Sequence, residues 1–290
     1  MFIKRFLKIY VEITNSCNFK CSFCAKSKRE PKTMSLNEFK KVVNEVKEYT
    51  DLITLHVKGE PLLHPEIGNI LDVCLEEGLK VNITTNGSLL LKKVQDLKKL
   101  SLRQLNISIH SISQNETGDI NKSDYLSNIF EAVKILKEFN PELLISYRLW
   151  NLKEISENSI NYNVLNALEK EYGINDLIGE AKKNNFVELS SGIFLNQDIE
   201  FKWPNIEDKI IGDKGRCLGL KNQLGILSNG NVVPCCLDQD ANVLLGNIFE
   251  TSLESILNSD KVKTISEGFL NGKIIPELCK RCTFREKFSK

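Results

Sequence analysis

The sequence predicts an α/β fold of repeated βα units around a parallel sheet, followed by a smaller module of different construction. Three observations carry this. From residue 6 to about 195, short β-branched runs alternate with segments of helical period. Beyond about residue 200 the alternation gives way to a hairpin signal. The 290 residues exceed a median domain of about 150 but suit one large α/β unit with an appendage, placing the domains at residues 1–200 and 201–290.

The strand candidates in order are LKIYVEIT (7–14), LITLHV (52–57), LKVNITT (79–85), RQLNISIH (103–110), ELLISYRLW (142–150) and VELSSGIFL (187–195). The first helix opens on a capping box of Ser35 and Glu38, with Leu36, Phe39, Val42, Val43, Val46 and Tyr49 at helical spacing. After Pro65 a second helix puts Ile67, Ile70, Leu71, Cys74 and Leu75 on one face, so Cys74 reads as a packed small hydrophobe. Helices near 124–139 and 157–172 complete the alternation, and the polar stretch 201–216 is the expected linker. In the second module LGILS and NVVPCC flank Asn229-Gly230, a two-residue hairpin signal, and TSLESIL opens a short helix with a capping box.

Apolar residues at 41% and charged residues at 27% describe a globular chain rather than a disordered or collagen-like one. With 39 basic against 38 acidic side chains, no electrostatic footprint for nucleic acid or acidic lipid exists. Lys8 and Glu12 interrupt the apolar opening, no cleavage site follows, and no segment approaches the roughly 18 apolar residues of a membrane span. A cytoplasmic protein with no membrane or nucleic-acid partner is expected.

Nine cysteines in a chain without an export signal read as metal or redox ligands before disulfides. Cys17, Cys21 and Cys24 lie in one loop after the first strand, close enough in sequence to wrap one face of a cubic iron-sulfur cluster and leave one of its irons open for reaction. A zinc site with a fourth ligand elsewhere is the alternative. Cys217 and Cys235 flank the hairpin and Cys279 and Cys282 form a C-x-x-C, enough for every corner of a second cluster or for a four-cysteine zinc. Cys236 is left over: if it continues the strand, its side chain points away from that of Cys235. In the fourth strand Asn106, Ser108 and His110 make one face polar, a candidate cavity lining or an internal hydrogen-bond network. Ser146 and Arg148 share a face of the fifth.

The three-residue first gap of TNSCNFKCSFC, Phe23 before its third cysteine, and its place at the top of the first βα unit resemble the cluster motif of the radical S-adenosylmethionine (SAM) superfamily. Gly59-Glu60-Pro61, at the end of the second strand, resembles the GGEP element of that superfamily, with Lys58 where the first glycine would be. ITTNGSLL resembles a third shared element. The resemblance implies a partial (β/α)6 barrel in which Cys17, Cys21 and Cys24 hold a 4Fe-4S cluster whose open iron chelates SAM. It places Phe23, Gly59, Glu60, Pro61, Thr85, Asn86 and Ser108 at the cofactor, and Arg148 and Ser123 as holders of the SAM carboxylate.

The C-terminal cysteines resemble the SPASM and shorter twitch extensions of these enzymes, implying an auxiliary 4Fe-4S cluster on Cys217, Cys235, Cys279 and Cys282. With no cysteine after Cys282, the one-cluster, twitch-like form is expected. The implied activity is reductive cleavage of SAM to a 5′-deoxyadenosyl radical that abstracts hydrogen from a peptide or small-molecule substrate, with electrons from a flavodoxin or ferredoxin. Oxidation or another modification is one outcome. Epimerisation of a peptide residue, with Cys236 as hydrogen donor, is another, and Asp238 stands where some relatives place a proton-accepting carboxylate. A non-catalytic iron-sulfur protein for electron transfer or sensing is the rival from a different class.

Overall fold

The computed structural model describes residues 5–112, 122–152, 160–200 and 202–288. Its strands are β1 (Lys8–Val11), β2 (Leu52–Leu55), β3 (Lys80–Thr85), β4 (Leu102–Ile107), β5 (Leu144–Leu152), β6 (Phe186–Ser190), β7 (Ile193–Ile199), β8 (Gln223–Ile226), β9 (Asn231–Val233) and β10 (Gly246–Asn247). They form one open sheet in the order β10-β9-β8-β1-β2-β3-β4-β5-β7-β6. From β1 to β5 and on to β7 each strand runs parallel to its neighbour, giving the six parallel strands of a partial barrel.

The helices α1 (Leu36–Val46), α2 (Ile67–Glu76), α3 (Lys122–Phe139) and α4 (Ile160–Tyr172) follow the expected alternation, and α5 (Leu177–Lys183) is an additional short one. Ser35 caps α1 as its sequence requires: its hydroxyl accepts from Glu38 N (3.2 Å), and Glu38 Oε2 accepts from Ser35 N (2.7 Å). Phe39 and Val42 of α1 and Ile70 and Leu71 of α2 share one core with the outward faces of the strands, such as Ile9 and Val11 of β1. Cys74 is fully buried there, and burial pushes its thiol up to about 12, as suits an inert packing residue. Leu75 is 44% exposed, so the apolar face of α2 ends one position earlier than its spacing suggested.

Two differences from the sequence reading have local causes. The run 187–195 is not one strand but the antiparallel hairpin β6–β7, reversed at Ser191-Gly192, where Gly192 has φ +70°. The Asn229-Gly230 hairpin does form, but Ile226 pairs with Val232 and the Leu227 N–H bonds the Asn231 carbonyl, so three residues make the turn, with Gly230 left-handed at φ +86°.

The second module shares the sheet and the core of the first. Its first strand, β8, pairs in parallel with β1 over four residues, from Lys8↔Gln223 to Val11↔Ile226. The helices α6 (Leu253–Asn258) and α7 (Asp260–Leu270) pack their apolar faces into the same core. Ser252 caps α6 by accepting from Ser255 N (3.3 Å); a serine stands where a capping box needs Glu or Gln. Among the described residues no helix is long and apolar enough to cross a membrane.

Candidate active site

The loop after β1 carries Cys17, Cys21 and Cys24, all with free thiols. A turn closes between Cys24 N and the Cys21 carbonyl (3.1 Å), and Cys17 Sγ accepts from Phe19 N (3.4 Å). Phe23 leans out of this loop onto His110, ring centroids 5.0 Å apart. Beside the loop lies the turn after β2. Gly59 has φ +76°, and a Cβ there would stand 2.3 Å from the Thr14 carbonyl oxygen, so only glycine permits this approach. Glu60 N donates to Ser16 O (2.8 Å), one residue before Cys17.

The Glu60 carboxylate is buried and ringed by donors: Thr85 Oγ1 (2.7 Å), Asn86 N (2.7 Å) and Leu62 N (3.0 Å). Burial pushes it up to about 6 in spite of them. Asn86 turns its Nδ2 to Asn18 Oδ1 (2.9 Å) and, more distantly, to Cys17 Sγ (3.9 Å). The structure thus joins three segments far apart in sequence, those of Cys17, Gly59-Glu60-Pro61 and Thr85-Asn86.

Glu12, which the motifs do not include, holds this assembly in place. Almost fully buried, it takes a bidentate fork from Arg29, NH1 to Oε1 and NH2 to Oε2, both 2.7 Å. Oε1 also accepts from Ser228 N (3.1 Å) and Oγ (3.0 Å), and Oε2 from Lys58 N (3.1 Å). Arg29 Nε goes on to Gln239 O (2.6 Å), and Asp240 Oδ1 accepts from Ser27 Oγ (2.6 Å) and Lys28 N (3.0 Å). The second module therefore clamps the cysteine loop directly. Between them opens a cleft of about 640 Å³ lined by Phe23, Cys24, Trp203, Leu237 and Gln239.

The barrel interior is polar and basic. Arg148 reaches across toward Tyr10 and Cys236, and burial pulls its guanidinium down to about 10. His56 is pulled down to about 3 by burial and by the cations of Arg148 and Lys58. Thr54 Oγ1 and His56 Nδ1 are buried without a hydrogen-bond partner. Asn106 bonds to Ile83 O (3.2 Å) and Thr84 Oγ1 (3.4 Å), the internal network foreseen as one alternative. Ser108 and His110 lie beyond the end of β4 rather than in it; the Ser108 N–H donates to Thr85 O (2.8 Å) and His110 Nδ1 pairs with Arg148 O (2.9 Å). Ser123 falls in the first turn of α3, and its side chain lies outside the described residues.

In the second module Cys217, Cys235, Cys279 and Cys282 lie near enough to feel one another's charge. Cys217 precedes β8 and Cys235 follows Pro234 in a bend beyond β9, and the two segments are tied by Leu220 N to Pro234 O (3.3 Å). Strand alternation is therefore not what separates Cys236 from Cys235. The bend turns the Cys236 sulfur toward Tyr10, whose hydroxyl donates to it, and burial pushes the thiol up to about 11. The Asp238 oxygens accept from Asn242 N (2.8 Å) and Val243 N (2.7 Å), capping its own loop.

The radical SAM superfamily profile matches residues 11–161, the stretch that carries the cysteine loop, the Gly59 turn and Thr85-Asn86. The chain belongs to the radical SAM superfamily. The iron-sulfur cluster-binding SPASM profile matches residues 217–283. A GTP 3',8-cyclase of Aquifex aeolicus is 30% identical over 151 residues, 47% of this chain and 46% of that one. This radical SAM chain spans about half the length of the curated relatives it matches. BtrN, in complex with AdoMet and 2-DOIA, shares the fold at a TM-score of 0.60 and 18% identity, covering 97% of this chain and 94% of that one. Streptococcus suis SuiB bound to precursor peptide SuiA shares it at 0.63 and 18%, covering 97% and 71%.

The cofactors of this radical SAM chain are S-adenosylmethionine, a 4Fe-4S cluster in the first domain and a further iron-sulfur cluster in the SPASM domain. The donor chemistry fits, with three free thiols in one loop and four in the second module. Among the described residues no group of three or more thiol, imidazole or carboxylate side chains is placed to hold a single metal ion. The sequence reading missed Glu12 and Arg29; the one available signal was an acidic residue in the first strand candidate, which also carries Lys8.

Glu12→Ala should destabilise the folded protein by about 3–5 kcal/mol, because it leaves the half-buried Arg29 without its carboxylate and strips the buried Ser228 and Lys58 donors of their acceptor. Urea denaturation of the variant, read as a lowered midpoint at unchanged slope, checks this.

Proposed function

We propose that the chain is a radical SAM enzyme that removes a hydrogen atom from a peptide or small-molecule substrate held in the barrel, oxidising or otherwise modifying it. The observation that carries the proposal is the buried Glu60 carboxylate, fixed by Thr85 and Asn86 on the same patch of surface as Cys17. When bound, SAM and the reduced cluster supply the 5′-deoxyadenosyl radical. Cys17, Cys21 and Cys24 hold that cluster. Glu60, with the backbone of Gly59 and Pro61, receives the SAM amino group, while Arg148, Ser108 and Ser123 are the candidates for its carboxylate. Phe23, packed on His110, braces the loop from the barrel side.

The second module contributes in two ways. Clamped to the cysteine loop through Asp240 and Gln239, it helps screen the site from water. Cys217, Cys235, Cys279 and Cys282 hold the auxiliary cluster, which can take the electron that an oxidation releases. The initial electron comes from a flavodoxin or ferredoxin. The named relatives are tied to different molecules, GTP in the name of a cyclase and a precursor peptide bound in the SuiB complex, so the substrate class stays peptide or small molecule.

One observation supports a second reading, the epimerase: Cys236, beside the four cluster thiols, turns its sulfur to Tyr10 and toward Lys8 and Arg148 of the barrel. That is where a hydrogen-atom donor to a substrate radical belongs.

Replacing Cys17, Cys21 and Cys24 together by Ala should leave one cluster, about four of about eight irons per chain, and abolish 5′-deoxyadenosine formation. Iron analysis and chromatography of the nucleoside products test this, and a wild-type protein that makes no 5′-deoxyadenosine would favour the electron-transfer reading. Glu60→Gln should keep its iron but bind SAM roughly 10- to 150-fold more weakly, the equivalent of losing one charge-assisted hydrogen bond. Equilibrium binding of SAM gives the number. In deuterated water an epimerase must leave deuterium on the product carbon and lose that product in Cys236→Ala, whereas an oxidase yields a product two hydrogens lighter and tolerates the substitution.

A further inference from the structure

Lys58 occupies the position where GGEP has its first glycine, and its side chain is used. Its backbone N–H is bound by Glu12, and the side chain, 9% exposed overall, runs back over the turn to the cysteine loop. There the ammonium donates to Cys24 Sγ at 2.7 Å and to the carbonyl oxygen of Ala25, and it lies 5.1 Å from the centroid of the Trp203 ring. The Trp203 face stabilises a cation without neutralising it. Among the described residues no carboxylate pairs with the ammonium, since Glu12 is occupied by Arg29. Cys17, by contrast, receives neutral donors, the Phe19 N–H and the Asn86 amide.

A positive charge and an N–H donor on a ligand sulfur stabilise the electron-rich state of a cluster. We propose that Lys58 is a positioning residue that sets the reduction potential of the SAM-site cluster, through the bond from its ammonium to the Cys24 sulfur. The step concerned is a one-electron reduction by the low-potential flavodoxin or ferredoxin donor; no bond to Lys58 is made or broken. The proposal rests on the reading that Cys17, Cys21 and Cys24 hold that cluster. Glycine at this position would leave the sulfur without this donor, so the same cluster would be harder to reduce.

The test is a dye-mediated redox titration of the reconstituted holoprotein without SAM, followed by electron paramagnetic resonance. The triple cysteine variant, which retains only the auxiliary cluster, assigns the two midpoints. Lys58→Met should make reduction of the N-terminal cluster about tenfold less favourable, a midpoint lower by about 59 mV for one electron. The auxiliary midpoint should stay in place, and Lys58→Arg, which keeps the charge, should restore the wild-type value. If Lys58→Met cannot retain the N-terminal cluster, Lys58→Gln is read in its place, with a downward shift again expected because it donates without a charge. An unshifted N-terminal midpoint, equal shifts in both clusters, or loss of the N-terminal cluster from both neutral variants would overturn the proposal. A wild-type protein holding only the auxiliary cluster would instead remove the underlying site reading and Lys58's role with it.

Discussion

A single buried carboxylate holds the two halves of this molecule to the same reference point. Glu12 leaves the end of β1 and satisfies donors from the cysteine loop (Arg29), the turn after β2 (Lys58) and the second module (Ser228). Each of those segments is irregular backbone, and none has a ladder of its own to fix it. An ionised group in a low-dielectric interior tolerates no loose partner, because an unmatched donor or charge there is far more costly than one at the surface. The loop that presents Cys17, Cys21 and Cys24 is thereby held by geometry that begins in an interior strand of the sheet.

The fold was legible where the periodic signal was strong and local. Five of the six expected strands and the first four helices lie within a few residues of their spacing-based positions, since alternation and capping act over one or two turns of chain. The hairpin at Ser191-Gly192 was hidden inside an unbroken β-branched run, because both of its arms bury residues at the same period. The chemistry-bearing residues were legible as motifs, and the structure brings Glu60, Thr85, Asn86 and Cys17 together. Glu12 was not, since a lone acidic residue acquires meaning only through partners as distant as Ser228. Cys236 shows the limit of reasoning from strand alternation: Pro234 follows the end of β9, and the bend after it decides where the Cys236 side chain goes.

The interior of the barrel is less stable than a barrel core needs to be. Burial, and after it the Arg148 guanidinium, disfavours the charged forms of Lys8 and His56, and Thr54 Oγ1 and His56 Nδ1 remain without partners. An apolar filling would avoid these penalties, so the polarity belongs to the reaction chamber and not to the scaffold. The outward faces of the same strands carry Ile9, Val11, Ile53 and Leu55, all fully buried, and supply the hydrophobic stabilisation that offsets it.

The parallel pairing of β8 with β1 also sets a timetable for biosynthesis. Glu12 and its partner Ser228 are 216 residues apart, so the ribosome adds most of the chain before the outer edge of β1 can be covered. At roughly 5–20 residues per second, that edge waits on the order of 10–40 s with its N–H and carbonyl groups unpaired. An uncovered edge of this kind invites strand addition from other nascent chains. The cysteine loop and Glu12 gain their bonds to Ser228, Gln239 and Asp240 only after those residues have been added.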